Sequence, residues 1–287
     1  MSKLRAYERF IEIVLFLFAI TAVLTVLLIT FFVFREGLPI IFSEGILNFV
    51  ASTEWAPLSG KFGILSMILG SVQVTLGAII LGVPIGVACA VYLAEIADKH
   101  IVQIVRPGIE LLAGIPSVVY GFFGLSVLVP FIRNHFPGNG FSILAGSIIL
   151  AIMILPTVIN ISETSIRSVP EEYKSGSLAL GASHWQTIYR VILPAAKSGI
   201  ITSVILGMGR AIGETMAVIM VTGNVTKVAG SIFDPVRTLT GNIAIEMGYA
   251  AGDHRLALFA TGVVLFVFIM VLNLIATFFA QKAGEIK

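Results

Sequence analysis

Two charged side chains interrupt an otherwise apolar stretch of this chain, Arg210 and Glu214 in residues 199–221. In a helix that crosses a membrane, each charge near the centre costs about 2.5–3.5 kcal/mol. An exposed ion pair four residues apart stabilises a helix by only about 0.2–0.5 kcal/mol. The pair is therefore expected to face a subunit interface or a water-lined cavity. Because a guanidinium offers a fixed fork of donors to oxyanions, we interpret the pair as an anion site, with a structural salt bridge as the alternative.

The polar segment 168–194 is the second stretch with functional character. Ser168 and Glu171 have the spacing of a capping box, which predicts the start of a short helix. Gly181 is expected to remove a side chain from one face of that helix, so that the helix fits a groove of a soluble partner. Leu193 precedes a proline, and this dipeptide ends the pattern before the next apolar stretch. A helix lying on the lipid surface is the alternative.

Composition indicates an integral membrane protein. Of its residues 57% are hydrophobic and 12% are charged, and the mean hydropathy is +1.01, whereas soluble domains are about 25% charged. A net charge of +2 does not indicate a nucleic-acid partner. Six segments reach or approach the roughly 20 residues needed to cross a bilayer. We predict spans at residues 11–34, 64–93, 109–131, 143–161, 199–221 and 256–280.

The distribution of basic residues predicts that both termini are cytoplasmic. With the N-terminus inside, eleven lysines and arginines fall in cytoplasmic segments, six fall in outer segments and Arg210 lies within a span. The first apolar segment is longer than that of a signal peptide, and no small-x-small cleavage site precedes Arg35. We therefore expect an uncleaved spanning helix.

Several other residues have structural interpretations. Trp55 is expected to be an anchor at the membrane border, and Gly82 and Gly86 are expected to be helix-packing contacts. Glu163 and Arg167 are expected to form an i,i+4 ion pair. The histidines show no metal-ligand spacing and are expected at the surface: His100, His135, His184 and His254.

The segment 168–194 resembles a known signature. Gly181, Val191 and the Leu193-Pro194 dipeptide have the spacing of the EAA loop of binding-protein-dependent ABC importer permeases. In that family the loop forms a coupling helix that docks on the ATP-hydrolysing subunit. The eponymous Glu-Ala-Ala would fall at residues 175–177, where this chain has Ser-Gly-Ser. The acidic residue is thus replaced by Ser175.

Two further motifs resemble the phosphate-specific branch of that family, in its PstC-type subunits. The first is Gly-Arg-Ala-Ile-Gly-Glu-Thr-Met-Ala-Val at residues 209–218, and the second is Arg-Pro-Gly-Ile-Glu-Leu-Leu-Ala-Gly-Ile-Pro at residues 106–116. The resemblance covers residues 60–280. It is most specific in the stretch that contains Arg210 and Glu214.

The resemblance implies an all-α membrane protein with six transmembrane helices, a type I ABC importer permease fold and a short cytoplasmic coupling helix. It implies a non-enzymatic transport subunit of a prokaryotic cytoplasmic membrane. The implied partners are a sister permease, two ATP-binding subunits and an extracytoplasmic phosphate-binding protein. The sequence contains no Gly-x-x-x-x-Gly-Lys-Ser/Thr motif. ATP and Mg²⁺ are therefore expected in the partner ATPase, with no cofactor or metal on this chain.

The expected sites follow from the two functional stretches. The substrate pathway is expected at Arg210 and Glu214. The residues expected to couple to the ATPase are Glu171, Glu172, Ser175, Gly181, Ala182, Leu193 and Pro194.

The predicted organisation is an N-terminal helix with an outer loop (1–62), a permease core (63–281) and a short cytoplasmic tail (282–287). The predicted function is the passage of inorganic phosphate from a binding protein into the cytoplasm. One alternative is a permease for another oxyanion, such as molybdate or sulfate. Another is a non-conducting intramembrane scaffold or sensor.

Overall fold

The structure of the chain, a computed structural model, describes residues 2–284 and is almost wholly helical. Within these residues, five helices are long and apolar enough to cross a membrane. A sixth span results when the bent pair His184–Ala195 and Lys197–Gly213, which meet at 67°, is counted as one. The predicted all-α membrane protein is confirmed. The end of the predicted tail, residues 285–287, lies outside the described residues.

The elements follow one another with short connections. The α-helices are α1 (Ser2–Glu44), α2 (Ile46–Ala51), α3 (Leu65–Val91), α4 (Lys99–Gly114), α5 (Ser117–Phe123), α6 (Val129–His135), α7 (Ile143–Arg167), α8 (Glu171–Ala179), α9 (His184–Thr187), α10 (Leu193–Ala195), α11 (Lys197–Gly213), α12 (Met216–Val221), α13 (Leu239–Glu246) and α14 (Asp253–Gly284). A hairpin of β1 (Trp55–Ala56) and β2 (Lys61–Phe62) encloses a 3₁₀ turn, Pro57–Ser59, and π-helical turns lie at Tyr92–Ile96, Gly124–Leu128 and Ile188–Ile192.

Helices α3 and α7 form the centre of the bundle, and glycines let them approach closely. A Cβ at Gly77 would overlap the side chain of Ser147, and a Cβ at Gly86 would overlap Val158. A Cβ at Gly82 would lie 3.0 Å from Ala151 O. The predicted packing role of Gly82 and Gly86 is confirmed.

Helix α1 is longer than the predicted first span. Arg35-Glu36-Gly37 has the composition of a helix end, yet the helix continues to Glu44. It continues because this part packs on α14, where a Cβ at Gly37 would lie 2.8 Å from Ala260 N. Edge-to-face pairs of Phe32 with Phe259 and of Phe34 with Phe266 extend the contact. The preceding turns of α1 are apolar and exposed, as expected for a surface that faces lipid.

The third predicted span, 109–131, is wrong at its start. Residue 109 belongs to α4, which ends at Gly114, and the backbone is extended at Ile115 and Pro116. The apolar helix that can cross a membrane runs from Ser117 to His135. The break follows from Pro116, because a residue before proline is disfavoured in the helical conformation.

The segments that connect the spans lie at two ends of the bundle. We call the end that carries residues 168–194 the coupling end, and the end that carries residues 222–252 the opposite end. The opposite end lies between the predicted spans 199–221 and 256–280, and it contains the buried helix α13, which contacts α3 and α14.

Candidate functional site

The predicted helical pair of Arg210 and Glu214 is not present, because the helix breaks between them. Helix α11 ends at Gly213, and Glu214 is extended with φ −69° and ψ 135°. Helix α12 begins two residues later, at Met216. Among residues 2–284 no ion pair joins Arg210 to Glu214. The expectation of an i,i+4 pair was wrong, since it required one uninterrupted helix.

Glu214 instead stabilises the start of α12. Its Oε1 accepts a hydrogen bond from the backbone N–H of Ala217 at 3.2 Å. A carboxylate at a helix N-terminus satisfies a free donor and interacts favourably with the helix dipole. On its other side, the Glu214 carbonyl accepts a hydrogen bond from Thr240 Oγ1 of α13 at 3.0 Å. The break is therefore held by local and distant contacts.

Arg210 lies in the last turn of α11 with its side chain exposed. Within residues 2–284 no hydrogen bond or ion pair engages its guanidinium. The positive charge of Arg210 interacts electrostatically with the phenol of Tyr120 in α5. That phenol donates a hydrogen bond to Leu112 O at 2.7 Å. An unpaired guanidinium on an apolar helix can accept an anion, because all its donors are free.

The surroundings of Arg210 are open. A Cβ added at Gly209, Gly213 or Gly114 would meet no atom within 4 Å. Gly209 and Gly213 of α11 are thus not packing contacts within this chain, whereas Gly199 and Gly207 of the same helix lie against Ser165 and Val158 of α7. By contrast, a Cβ at Gly121 would lie 2.9 Å from Ala217 Cα, so α5 and α12 pack backbone to backbone. The two helix breaks therefore lie close together, with open space on the side of Arg210.

The segment 168–194 begins with the expected helix, but its cap is different. Helix α8 has Pro170 at its N-cap position with no side-chain hydrogen bond. Ser168 does not cap it, because its hydroxyl donates to Ser165 O at 2.8 Å. The capping box in this segment is formed by Ser183 and Gln186, at the start of α9. The pattern is present in the sequence as Ser-His-Trp-Gln at residues 183–186, in place of the predicted pair of Ser168 and Glu171.

Gly181 does not lie on the face of a helix, contrary to expectation. Its φ of +85° places it in the left-handed region just after α8. Its N–H donates to Leu178 O at 2.9 Å, and the N–H of Ala182 donates to Ser177 O at 3.2 Å. This is the Schellman pattern of helix termination, which glycine adopts without strain. A bulky residue there would strain the backbone as well as block docking, so it would not isolate either effect.

Two ion-pair clusters stabilise the coupling end: one joins α8 to the π-helical turn Tyr92–Ile96, and the other joins α4 to α7. Lys174 Nζ lies 2.8 Å from Glu95 Oε2, and this hydrogen bond raises the pKa of Lys174 above its ordinary value. The buried Glu163 Oε1 accepts from Arg106 Nη2 at 2.5 Å and from Arg167 Nε at 2.9 Å. The predicted pair of Glu163 and Arg167 is confirmed, with Arg106 as an additional partner.

The outer surface of the coupling end is acidic and aromatic. Glu171, Glu172 and Ser175 are exposed on α8. Ala182 and Leu193 are half-buried, whereas Pro194 is exposed just before the bend at Ala196. Four large apolar side chains here are more than half exposed: Tyr173 (55%), Leu180 (91%), Trp185 (64%) and Tyr189 (67%). We call these four the coupling patch.

A buried polar cluster lies at the opposite end, around Glu246 of α13. Trp55 Nε1 donates to Glu246 Oε2 at 2.9 Å, and His254 Nε2 lies 2.7 Å from the same oxygen. Arg237 forms an ion pair with the other carboxylate oxygen. Trp55 is buried, so the expectation of a membrane-border anchor was wrong, and His254 is not a simple surface residue. The cluster joins the hairpin, α13 and α14.

The Glu246 cluster predicts a pH-dependent stability. Burial raises the pKa of Glu246, but the hydrogen bonds from Trp55, His254 and Arg237 outweigh it and hold the pKa below its ordinary value. A depressed pKa contributes stability above the unfolded value of about 4.3 and loses it as the pH falls through the folded value. At pH 7, Glu246→Gln should cost about 3 kcal/mol, because it leaves Arg237 unpaired. Melting temperatures at neutral and acid pH check this.

The difference between wild type and this variant should shrink as the pH falls below the unfolded pKa of about 4.3 and disappear once the pH falls through the lowered folded pKa. Glu54→Gln is the matched control, since Glu54 pairs with Lys61 in an exposed salt bridge at 2.9 Å and should lose less than about 1 kcal/mol. A difference that stays constant down to pH 3 would contradict the assignment.

Among residues 2–284 no three His, Cys, Asp or Glu side chains are grouped to hold a metal ion. The polar groups cluster instead at a helix break and at the two ends of a membrane bundle. Broken helices, an unpaired guanidinium beside the breaks and an exposed coupling patch define a multi-pass transport permease. Residues 82–285 match the family described as "Binding-protein-dependent transport system inner membrane component", and the chain belongs to this family.

Individual relatives and structures agree with this membership. The chain is 42% identical over 261 residues to the "Probable ABC transporter permease protein YqgH" of Bacillus subtilis, covering 87% of this chain and 84% of the relative. It is 35% identical over 256 residues to the "Phosphate transport system permease protein PstC" of Mesorhizobium japonicum, covering 82% and 78%. It superposes with a TM-score of 0.64, at 15% identity, on a bacterial ABC transporter involved in alginate import, covering 95% and 96%. The predicted type I ABC permease fold is confirmed.

Proposed function

We propose that this chain is the permease subunit of an ATP-driven importer that passes inorganic phosphate from an extracytoplasmic binding protein into the cytoplasm. The observation that carries the proposal is the 35% identity to a permease named for phosphate transport, over most of both chains. This similarity favours phosphate over molybdate or sulfate. A non-conducting sensor would have no use for an unpaired guanidinium at the helix breaks.

In this proposal the anion passes the breaks at residues 115–116 and 214–215. Arg210 supplies the positive charge, and its free donors bind the phosphate oxygens transiently. Release requires a weak site, and one guanidinium with open surroundings meets that requirement. Glu214 shapes the passage by holding the start of α12, and its negative charge disfavours prolonged anion binding.

The coupling end is the proposed docking surface for the ATP-binding subunit, which would hold ATP and Mg²⁺. Glu171 and Glu172 remain candidate contacts on α8, and Ser175 occupies the position of the missing signature glutamate. The coupling patch adds apolar area that a groove can bury. The full assembly would contain a sister permease, two ATP-binding subunits and the binding protein, in a prokaryotic cytoplasmic membrane.

Both termini and the coupling end are proposed to face the cytoplasm, as the basic residues indicate. In a Cys89→Ser background, a cysteine at the exposed His184 should react with an impermeant thiol reagent only after permeabilisation. A cysteine at the exposed Lys227 should react in intact cells. The reverse pattern would overturn the orientation.

A genetic experiment tests the proposed function. The chain is expressed with its own sister permease, ATPase and binding protein in a bacterium whose phosphate importers are deleted. Growth on limiting phosphate should be restored, and restoration should require all four components. Failure to restore growth on limiting phosphate, together with restored growth of a strain that lacks its sulfate or molybdate importers, would contradict the proposal.

A further inference from the structure

The residues 236–246, which lie between the fifth and sixth predicted spans, hold both ends of the short helix α12. At the first end, Thr240 Oγ1 donates to Glu214 O at 3.0 Å. At the other end, Asn224 Nδ2 donates to Ile219 O at 2.8 Å, and Arg237 Nε donates to Asn224 O at 3.0 Å. Helix α12 is only six residues long. Its position is thus set by contacts from elsewhere, because so short a helix is not stable alone.

The hydrogen bonds at the N-terminal end of α12 form a series in which each donor and acceptor can be assigned. Thr240 gives its one proton to a carbonyl, so Thr238 must be the donor in the 3.2 Å contact between their hydroxyls. Thr238 Oγ1 in turn accepts from Gly241 N at 3.1 Å. Thr240 is 8% exposed and Thr238 is 6% exposed, so water does not readily replace these bonds.

The start of α13 is itself fixed to the centre of the bundle. Leu239 N donates to Ser71 Oγ of α3 at 2.9 Å, and both residues are buried. The far end of α13 belongs to the Glu246 cluster. Thr240 therefore belongs to a helix that is fixed at both ends, and its hydroxyl donates from that helix to the backbone of the break.

We infer that Thr240 is a positioning residue for substrate passage, which keeps Glu214 non-helical and so keeps Arg210 free. This inference rests on the proposed function. Without the hydroxyl, the Glu214 carbonyl loses its partner in a half-buried site, and an unpaired carbonyl is costly there. The carbonyl regains a partner if α11 continues through the break. A continuous helix would place Arg210 and Glu214 four residues apart, where they attract each other. The anion would then meet a neutralised pair.

The test compares Thr240→Val, which keeps the shape and removes the hydroxyl, with Thr240→Ser, which retains it. In the complete reconstituted complex, Thr240→Val should lower the maximal rate of phosphate uptake about tenfold, as expected for a lost buried hydrogen bond of about 1.4 kcal/mol. Thr240→Ser should restore at least half of the rate. Amide hydrogen exchange of residues 211–218 should change in the Val variant only.

Thr261→Val is the matched control. Thr261 is also buried, and its hydroxyl donates to Ala257 O at 2.9 Å within α14. This variant should change neither uptake nor exchange at residues 211–218. Unchanged uptake and exchange in Thr240→Val would overturn the inference, as would equal losses in the Val and Ser variants. A wild-type complex that transports no phosphate, with the same exchange difference, would contradict the proposed function while the positioning of the break stands.

Discussion

Replacing Arg210 by glutamine is expected to lower phosphate uptake about 10- to 100-fold, while the complex still assembles. The variant keeps a polar side chain but loses the charge and the fork of donors. A hydrogen bond to a charged group contributes about 1.5–3 kcal/mol, and each 1.4 kcal/mol is a factor of ten. Assembly should persist because Arg210 has no ion-pair partner among the described residues to leave unpaired. Labelled-phosphate uptake and size-exclusion profiles measure the two effects.

Arg133→Gln is the matched control, since Arg133 is also an exposed arginine but lies at the end of α6. It should leave uptake within a factor of two. Glu214→Gln should reduce uptake less than Arg210→Gln, because an amide oxygen can still accept from the Ala217 N–H. Normal uptake in Arg210→Gln would show that the anion does not depend on this charge. An unassembled complex would instead indicate a structural pair with a partner subunit.

Removing two side chains of the coupling patch should release the ATPase subunit. In the double variant Leu180→Ala, Trp185→Ala, two exposed apolar side chains are lost from the proposed docking surface. Burying one such side chain contributes about 1.5–3 kcal/mol. The ATPase affinity should therefore fall by at least about 100-fold, since the two losses sum to 3 kcal/mol or more. Co-purification of the subunit with the tagged permease measures this affinity, and uptake should fall with it.

The matched control removes two exposed side chains at the opposite end, Leu58→Ala with Tyr249→Ala. Leu58 is 106% exposed and Tyr249 is 68% exposed, similar to the two coupling-patch residues. ATPase co-purification should be unchanged in this control. Full retention of the ATPase in the Leu180, Trp185 variant would place the docking surface elsewhere.

Hydropathy predicts which segments are apolar, but it does not predict where helices break or continue. The starts of the two central spans were predicted within one residue, whereas α7 continues six residues past the predicted end through its polar last turns. The extension of α1 to Glu44 was missed, since it depends on packing against α14. The break before Ser117 carried a local signal, the preceding proline, which the prediction of residues 109–131 did not use.

The geometry around Arg210 and Glu214 could not be predicted from the sequence. Arg210 and Glu214 were predicted because they are charged residues in an apolar stretch. The backbone at Glu214, however, accepts a hydrogen bond from Thr240, which is 26 residues away in sequence. Trp55 and Glu246 are 191 residues apart, and no local pattern connects them. Gly181 was predicted to lie on a helix face that it does not occupy. Its left-handed conformation follows from helix termination.

The most direct test of the central claim is uptake by the purified complex in proteoliposomes, with the binding protein and labelled phosphate outside and ATP inside. Phosphate should accumulate against its gradient only with ATP. Unlabelled phosphate should compete with the label, whereas equal concentrations of sulfate or molybdate should not. ATP hydrolysis that is stimulated by sulfate or molybdate but not by phosphate, with no accumulation of the label, would contradict the assignment of this chain as a phosphate permease.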